Sequence, residues 1–76
     1  MINVKNKKLI SLIGNRIREL RIQQNMSQES LANEADIPLS QIGRIERGET
    51  NPTISTLYVI SQSLNIKLTE LIDVNL

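Results

Sequence analysis

Apolar residues recur at three- and four-residue intervals along most of the chain, the spacing that gathers one side of a helix into a buried stripe. From about Lys8, the residues Ile10, Ile13, Ile17 and Leu20 define a first helix with Gly14 inside it. A mid-helix glycine costs about 1 kcal/mol relative to alanine, so its expected use is a close approach to another helix. Asn25 tolerates the left-handed conformation and closes this helix. Ser27 is placed to cap a second helix, with Glu29 near the positive end of its dipole and Met26 and Leu31 spaced as a hydrophobic staple. Ala32 and Ala35 keep one side of it thin. After a turn, Pro38 presets φ for the first turn of a third helix, which ends at Gly48. The polar stretch ETNPT is a loop, Thr53 caps a fourth helix from Ile54 to Leu64 with Leu57, Ile60 and Leu64 inward, and Asn65 stops it. IKLTELIDVNL gives a last, short amphipathic helix whose apolar side is Leu68, Leu71 and Ile72.

The expected fold is therefore all-α: five helices with short connections in one domain, residues 8–76. Residues 1–7 show no period and read as an N-terminal arm. No internal repeat, linker or low-complexity segment interrupts the chain.

The third helix carries the main functional clue. At about 100° per residue, Ser40, Gly43, Arg44 and Arg47 share one face while Ile42 and Ile45 lie on the other, and Glu46 falls toward the core side. The outward face thus offers a hydroxyl, a gap and two guanidinium groups. Arginine bonds guanine O6 and N7 as a fork or holds a phosphate, serine serves base edges or phosphates, and glycine lets a backbone come near. A solvated face is the competing explanation of the same residues.

Composition narrows the function classes. With 76 residues and 39% apolar content, the chain can build one small core. It has no cysteine and no histidine, which removes disulfides, thiolate metal sites, the usual zinc sites and imidazole base catalysis. Neither a phosphate-cradling glycine loop nor a paired carboxylate constellation is present, so no catalytic set can be assembled and neither cofactor nor metal is expected. No apolar run reaches the roughly 18 residues of a membrane span, and the N-terminus lacks a cleavable export signal, which points to the cytoplasm. The net charge of +1 says little, but its distribution says more: residues 1–24 carry Lys5, Lys7, Lys8, Arg16, Arg18 and Arg21 against Glu19 alone, and the remainder is acidic. A positive surface for phosphates is compatible with that modest total.

Four fragments now align with a known pattern: IGNRIRELR in the first helix, MSQESLA in the second, IGRIERGETNPTISTL from the third helix through the loop, and SLNIKLTELI at the end. In this order and spacing, Ile13 to Ile72 resembles the lambda-repressor and Cro type of DNA-binding domain, the xenobiotic-response-element helix-turn-helix family, with the motif on helices 2 and 3. The resemblance implies roles. Gln28 matches a glutamine that bonds a backbone phosphate and braces the recognition helix. Leu39, Ser40, Gln41 and Arg44 match positions that face base edges in the major groove, and Arg47, Thr50 and Asn51 match phosphate contacts. Arg21 and Glu46 match an ion pair joining helix 1 to the recognition helix.

Some positions depart from the family. Asn25, Asp36 and Asn65 stand at helix ends where glycine is common, Asp36 being the most strained of the three. Pro38 replaces a serine cap and leaves Ile37 as a poor one, and Lys67 replaces a capping residue before the last helix.

The implied function is a sequence-specific DNA-binding transcription regulator, a repressor acting on a palindromic operator as a homodimer. Two copies would read half-sites about 34 Å apart. Leu71, Val74 and Leu76 are candidates for the dimer contact or for closing the monomer core. The alternative is an antitoxin or other interaction module that holds a small protein partner and binds DNA secondarily.

Overall fold

The computed structural model describes residues 5–76, and all five expected helices are present: α1 (Lys7–Gln23), α2 (Gln28–Ala35), α3 (Leu39–Glu46), α4 (Ile54–Ser63) and α5 (Leu68–Leu71). The first four residues of the expected arm lie outside the described range. Asn6 and Lys7 belong to the helix instead, because the Asn6 side chain accepts a hydrogen bond from the Leu9 N–H at 2.9 Å and caps α1. An asparagine three residues before the first apolar position carried that signal.

Side-chain oxygens cap α2 and α4 as expected, with Ser27 accepting from Ser30 N–H and Thr53 from Thr56 N–H. Asn25, Asp36 and Asn65 all take positive φ, at 57°, 55° and 58°. Each turn relies on a residue whose short polar side chain tolerates that conformation.

Two helix starts differ from expectation. Pro38 is the N-cap of α3 and not its first helical residue; with φ −55° and ψ 140° it supplies an extended entry and no side-chain acceptor. At α5, Lys67 has no acceptor to offer, and Glu70 supplies the missing half of the cap by accepting from the Lys67 N–H at 3.2 Å.

The core is one cluster built around Ile17, Leu31, Ile42, Ile45, Ile60, Leu64 and Leu71, with Met26 packed against it. α3 packs against both α1 and α2, α2 also meets α4, and α5 closes the far end on α1 and α4. Gly14 lies directly beneath the end of α3, where a Cβ would meet the carbonyl oxygens of Ile45 and Glu46. The close approach expected of this glycine is therefore to backbone.

Two polar ties complete the frame. The Arg16 guanidinium donates twice to the carbonyl of Glu70, at 3.1 and 3.0 Å, and Gln24 donates to the carbonyl of Leu64 at 2.6 Å. The apolar side of α5 is narrower than expected: Leu71 is fully buried and Leu68 packs at the edge, but Ile72 remains 37% exposed. No helix among the described residues is long and apolar enough to cross a membrane.

Candidate nucleic-acid interface

The sequence places Ile42 and Ile45 on one side of α3, and both are about 1% exposed in the core. Burying them turns Ser40 and Arg44 outward, where both are exposed. The orientation of α3 is thus set by two isoleucines and held by a polar lock beside them.

That lock joins three helices. Arg21 Nε and Nη2 donate to Glu46 Oε2 and Oε1 at 2.7 and 3.0 Å, a fork-to-fork pair with both side chains nearly withdrawn from solvent. The remaining guanidinium nitrogen, Nη1, donates to the Met26 carbonyl at 2.7 Å. Gln28, the first residue of α2, donates Nε2 to Glu46 Oε1 at 3.0 Å. The hydrogen bond to Glu46 raises the pKa of Arg21, and burial opposes this only in part. The guanidinium therefore stays charged, and these hydrogen bonds fix the ends of α1 and α3 to the start of α2.

The expected contact residues divide into two groups. Ser40, Gln41, Arg44, Thr50 and Asn51 line one shallow cleft of about 330 Å³ between α3 and the loop that precedes α4. Sequence reasoning missed Thr53 and Thr56 in its wall. The role of Thr53 as a cap was legible, whereas the place of both threonines beside α3 depends on how α4 packs. Leu39 stands apart from the cleft, at the first position of α3, and is 47% exposed.

The second group is Gln28, Gly43 and Arg47, and here the outward gap expected at Gly43 is not found. Gly43 is buried, because the Arg47 guanidinium lies across it and Gln28 lies beside it: a Cβ would meet Arg47 Nη1 at 2.9 Å and Gln28 Oε1 at 3.8 Å. The glycine makes room for side chains of its own domain.

Arg47 is also engaged. Its Nε donates to Glu49 Oε2 at 2.6 Å, with both side chains more than half exposed. That hydrogen bond raises the Arg47 pKa and holds the Glu49 carboxyl below the usual carboxylate range, to which the charges of Arg47 and Arg44 add. Arg44 takes part in neither of the two ion pairs among the described residues. Its guanidinium is exposed and without an ion-pair partner, although its charge is felt at Glu49.

A fixed helix thus presents an arginine without an ion-pair partner, a hydroxyl, an amide and an apolar side chain, flanked by a loop rich in small polar groups. The polar ones are of the kinds that bond base edges and phosphates, and none of them is spent on the core.

Comparison with known proteins points the same way. The helix-turn-helix family model matches residues 17–71. Control protein C.BamHI from Bacillus amyloliquefaciens is 38% identical over 63 residues, covering 82% of this chain and 78% of that protein. The crystal structure of the restriction-modification controller protein C.AhdI from Aeromonas hydrophila has a TM-score of 0.80 at 33% identity and covers 87% of this chain and 98% of its own. The controller C.Esp1396I, solved as a tetramer in complex with its natural 35 base-pair operator, has a TM-score of 0.75 at 30% identity and covers 84% of this chain and 93% of its own.

Proposed function

The chain belongs to the helix-turn-helix family of DNA-binding regulators, and from that premise we propose that it represses transcription by binding a palindromic operator as a homodimer, with α3 in the major groove. The observation that carries this reading is the orientation of α3: Ile42 and Ile45 are buried, while Ser40, Gln41 and Arg44 line an open cleft with Thr50 and Asn51. Arg44 and Ser40 serve base edges, and Thr50 and Asn51 serve phosphates. Gln28 uses one amide hydrogen on Glu46, which leaves the second for a phosphate oxygen and aims it. The protein acts by binding and not by catalysis, in the cytoplasm where the duplex is.

A single small domain contacts too few base pairs for good selectivity, whereas two related by a twofold axis read half-sites about 34 Å apart. The expected dimer contact holds only in part: Leu71 is fully buried and Val74 packs against the core, whereas Leu76 is 66% exposed and stays open to a partner. The apolar groove between α1, α4 and α5 fits the role better, since it exposes Ile54 by 64% and Ile72 by 37% beside Leu9 and Ile13. A second copy would remove that surface from water.

The relatives compared above are control and controller proteins, which supports a regulator over an antitoxin-like module. Selection of bound sequences from a random duplex pool tests the proposal. The expected result is a two-fold symmetric consensus with half-site centres one helical turn apart. Retention of no preferred sequence would refute it.

A further inference from the structure

Among the residues of α3 that face away from the core, Leu39 is the one without polar chemistry. It is the first residue of the helix, 47% exposed, preceded by the exposed Pro38 and outside the polar cleft formed by Ser40, Gln41 and Arg44. Nothing among the described residues uses this side chain: it belongs neither to the core cluster nor to the hydrophobic residues packed against it. The apolar groove between α1, α4 and α5 does not include it either.

Its place in the helix limits what it can meet. In a helix-turn-helix the N-terminal residues of the recognition helix contact base edges, and the apolar feature that the major groove offers there is the C5-methyl group of thymine. We propose that Leu39 is a specificity-determining residue that selects a T·A pair in each half-site by covering that methyl group. This rests on the groove-binding reading above and deepens it, because it assigns a base to one side chain. A leucine accepts no hydrogen and donates none, so a base edge presenting only polar groups would be desolvated against it without compensation. Discrimination therefore comes from both directions: a methyl group gains an apolar partner, and a cytosine amino group at the same place loses its water.

The test replaces thymines of the selected operator one position at a time, symmetrically in both half-sites, by deoxyuridine. That change deletes the methyl and leaves every hydrogen-bonding group in place. Burial of one such group is worth about 0.8 kcal/mol, or about four-fold in affinity per half-site. The wild-type protein should lose about that factor per half-site at one symmetric position, and Leu39→Ala should bind the thymine and deoxyuridine operators equally. Leu39→Met, which keeps an apolar side chain of similar size, should retain most of the preference. Leu39 is exposed and outside the core, so these variants keep the fold.

If the wild type is indifferent to deoxyuridine at every position, or if Leu39→Ala remains as sensitive as the wild type, the inference is overturned while operator binding stands. A change in oligomeric state on Leu39→Ala without any change in methyl sensitivity overturns it in the same way. A protein that retains no preferred duplex at all overturns the groove-binding reading and this inference with it.

Discussion

Arg21 and Glu46, 25 positions apart in the chain, meet through two parallel hydrogen bonds of 2.7 and 3.0 Å and bury a charge pair between the ends of α1 and α3. Removing one partner leaves the other charge without water or counter-charge. Arg21→Ala should therefore cost about 3 to 5 kcal/mol, well above the ~0 to 1 kcal/mol of a surface pair. Replacement of both partners by apolar residues of similar volume should recover much of the loss, since the desolvation penalty then disappears too. Urea unfolding of the single and double variants checks both statements. A single-variant loss under ~1 kcal/mol would reclassify the pair as a surface contact.

Asp36 closes α2 with φ 55°, in the left-handed region where its Cβ crowds the following carbonyl. Its carboxylate also stands at the negative end of the α2 dipole. Glycine relieves both effects, at the cost of a more flexible unfolded chain. Asp36→Gly should raise stability by up to ~1 kcal/mol, read as a higher urea midpoint with an unchanged slope. Asn25→Gly and Asn65→Gly should gain less, because asparagine carries no charge into the same conformation.

Gly14 behaves oppositely. Alanine would gain about 1 kcal/mol of helix propensity in α1. Its methyl, however, would press on the carbonyls of Ile45 and Glu46, which are backbone and cannot swing away. Overpacking of this kind costs about 1 to 3 kcal/mol. Gly14→Ala should therefore lower the thermal midpoint, and because it displaces the end of α3 it should also weaken operator binding.

The features legible in the sequence are those set within a few residues of themselves. A 100° periodicity separates Ile42 and Ile45 from Ser40 and Arg44, and the caps at Ser27 and Thr53 need only their own first turns. The left-handed residues are equally local. What sequence reading missed depends on side chains arriving from elsewhere. Gly43 shares the outward face by angle, yet Arg47 and Gln28 cover it. Arg16 read as part of a basic surface, but it donates to the carbonyl of Glu70, 54 positions away. Leu71, Val74 and Leu76 are open between core and dimer contact in the sequence; the docking of α5 on α1 and α4 takes the first two into the core and leaves Leu76 exposed. The family resemblance supplied the Arg21–Glu46 pair; the 100° periodicity alone gave only the side on which Glu46 lies.

Glu49 holds Arg47 at 2.6 Å on the surface expected to meet phosphates. Glu49→Gln should release that guanidinium and remove a negative charge from the same face. Affinity for any duplex should rise at low salt, and the slope of log K against log salt should steepen by about one unit, one further phosphate being neutralised. The Glu49 carboxyl is held below its ordinary range, so the ion pair persists at neutral pH and is lost as pH falls through that lowered value. Wild type and variant should therefore differ at neutral pH and converge in acid. Anisotropy titrations of a labelled random duplex at several salt concentrations and pH values measure this.

Arg44 and Gln28 separate sequence reading from anchoring. Arg44 is exposed in the cleft and belongs to neither ion pair, so Arg44→Ala should remove the proposed base contact and little else. Preference for operator over random duplex should fall by ~1 to 3 kcal/mol if the contact is a bidentate one to guanine, with weaker discrimination at one position of the consensus. Gln28 bonds Glu46 and, in the proposed complex, gives its second amide hydrogen to a phosphate, so Gln28→Ala should weaken operator and random duplex together and leave their ratio unchanged. It should also lower the urea midpoint slightly, since Glu46 loses a donor, whereas Arg44→Ala should not. The two variants thus move different ratios, which a general loss of folding cannot imitate. If both leave operator affinity unchanged, the face of α3 that carries Ser40 and Arg44 does not enter the groove.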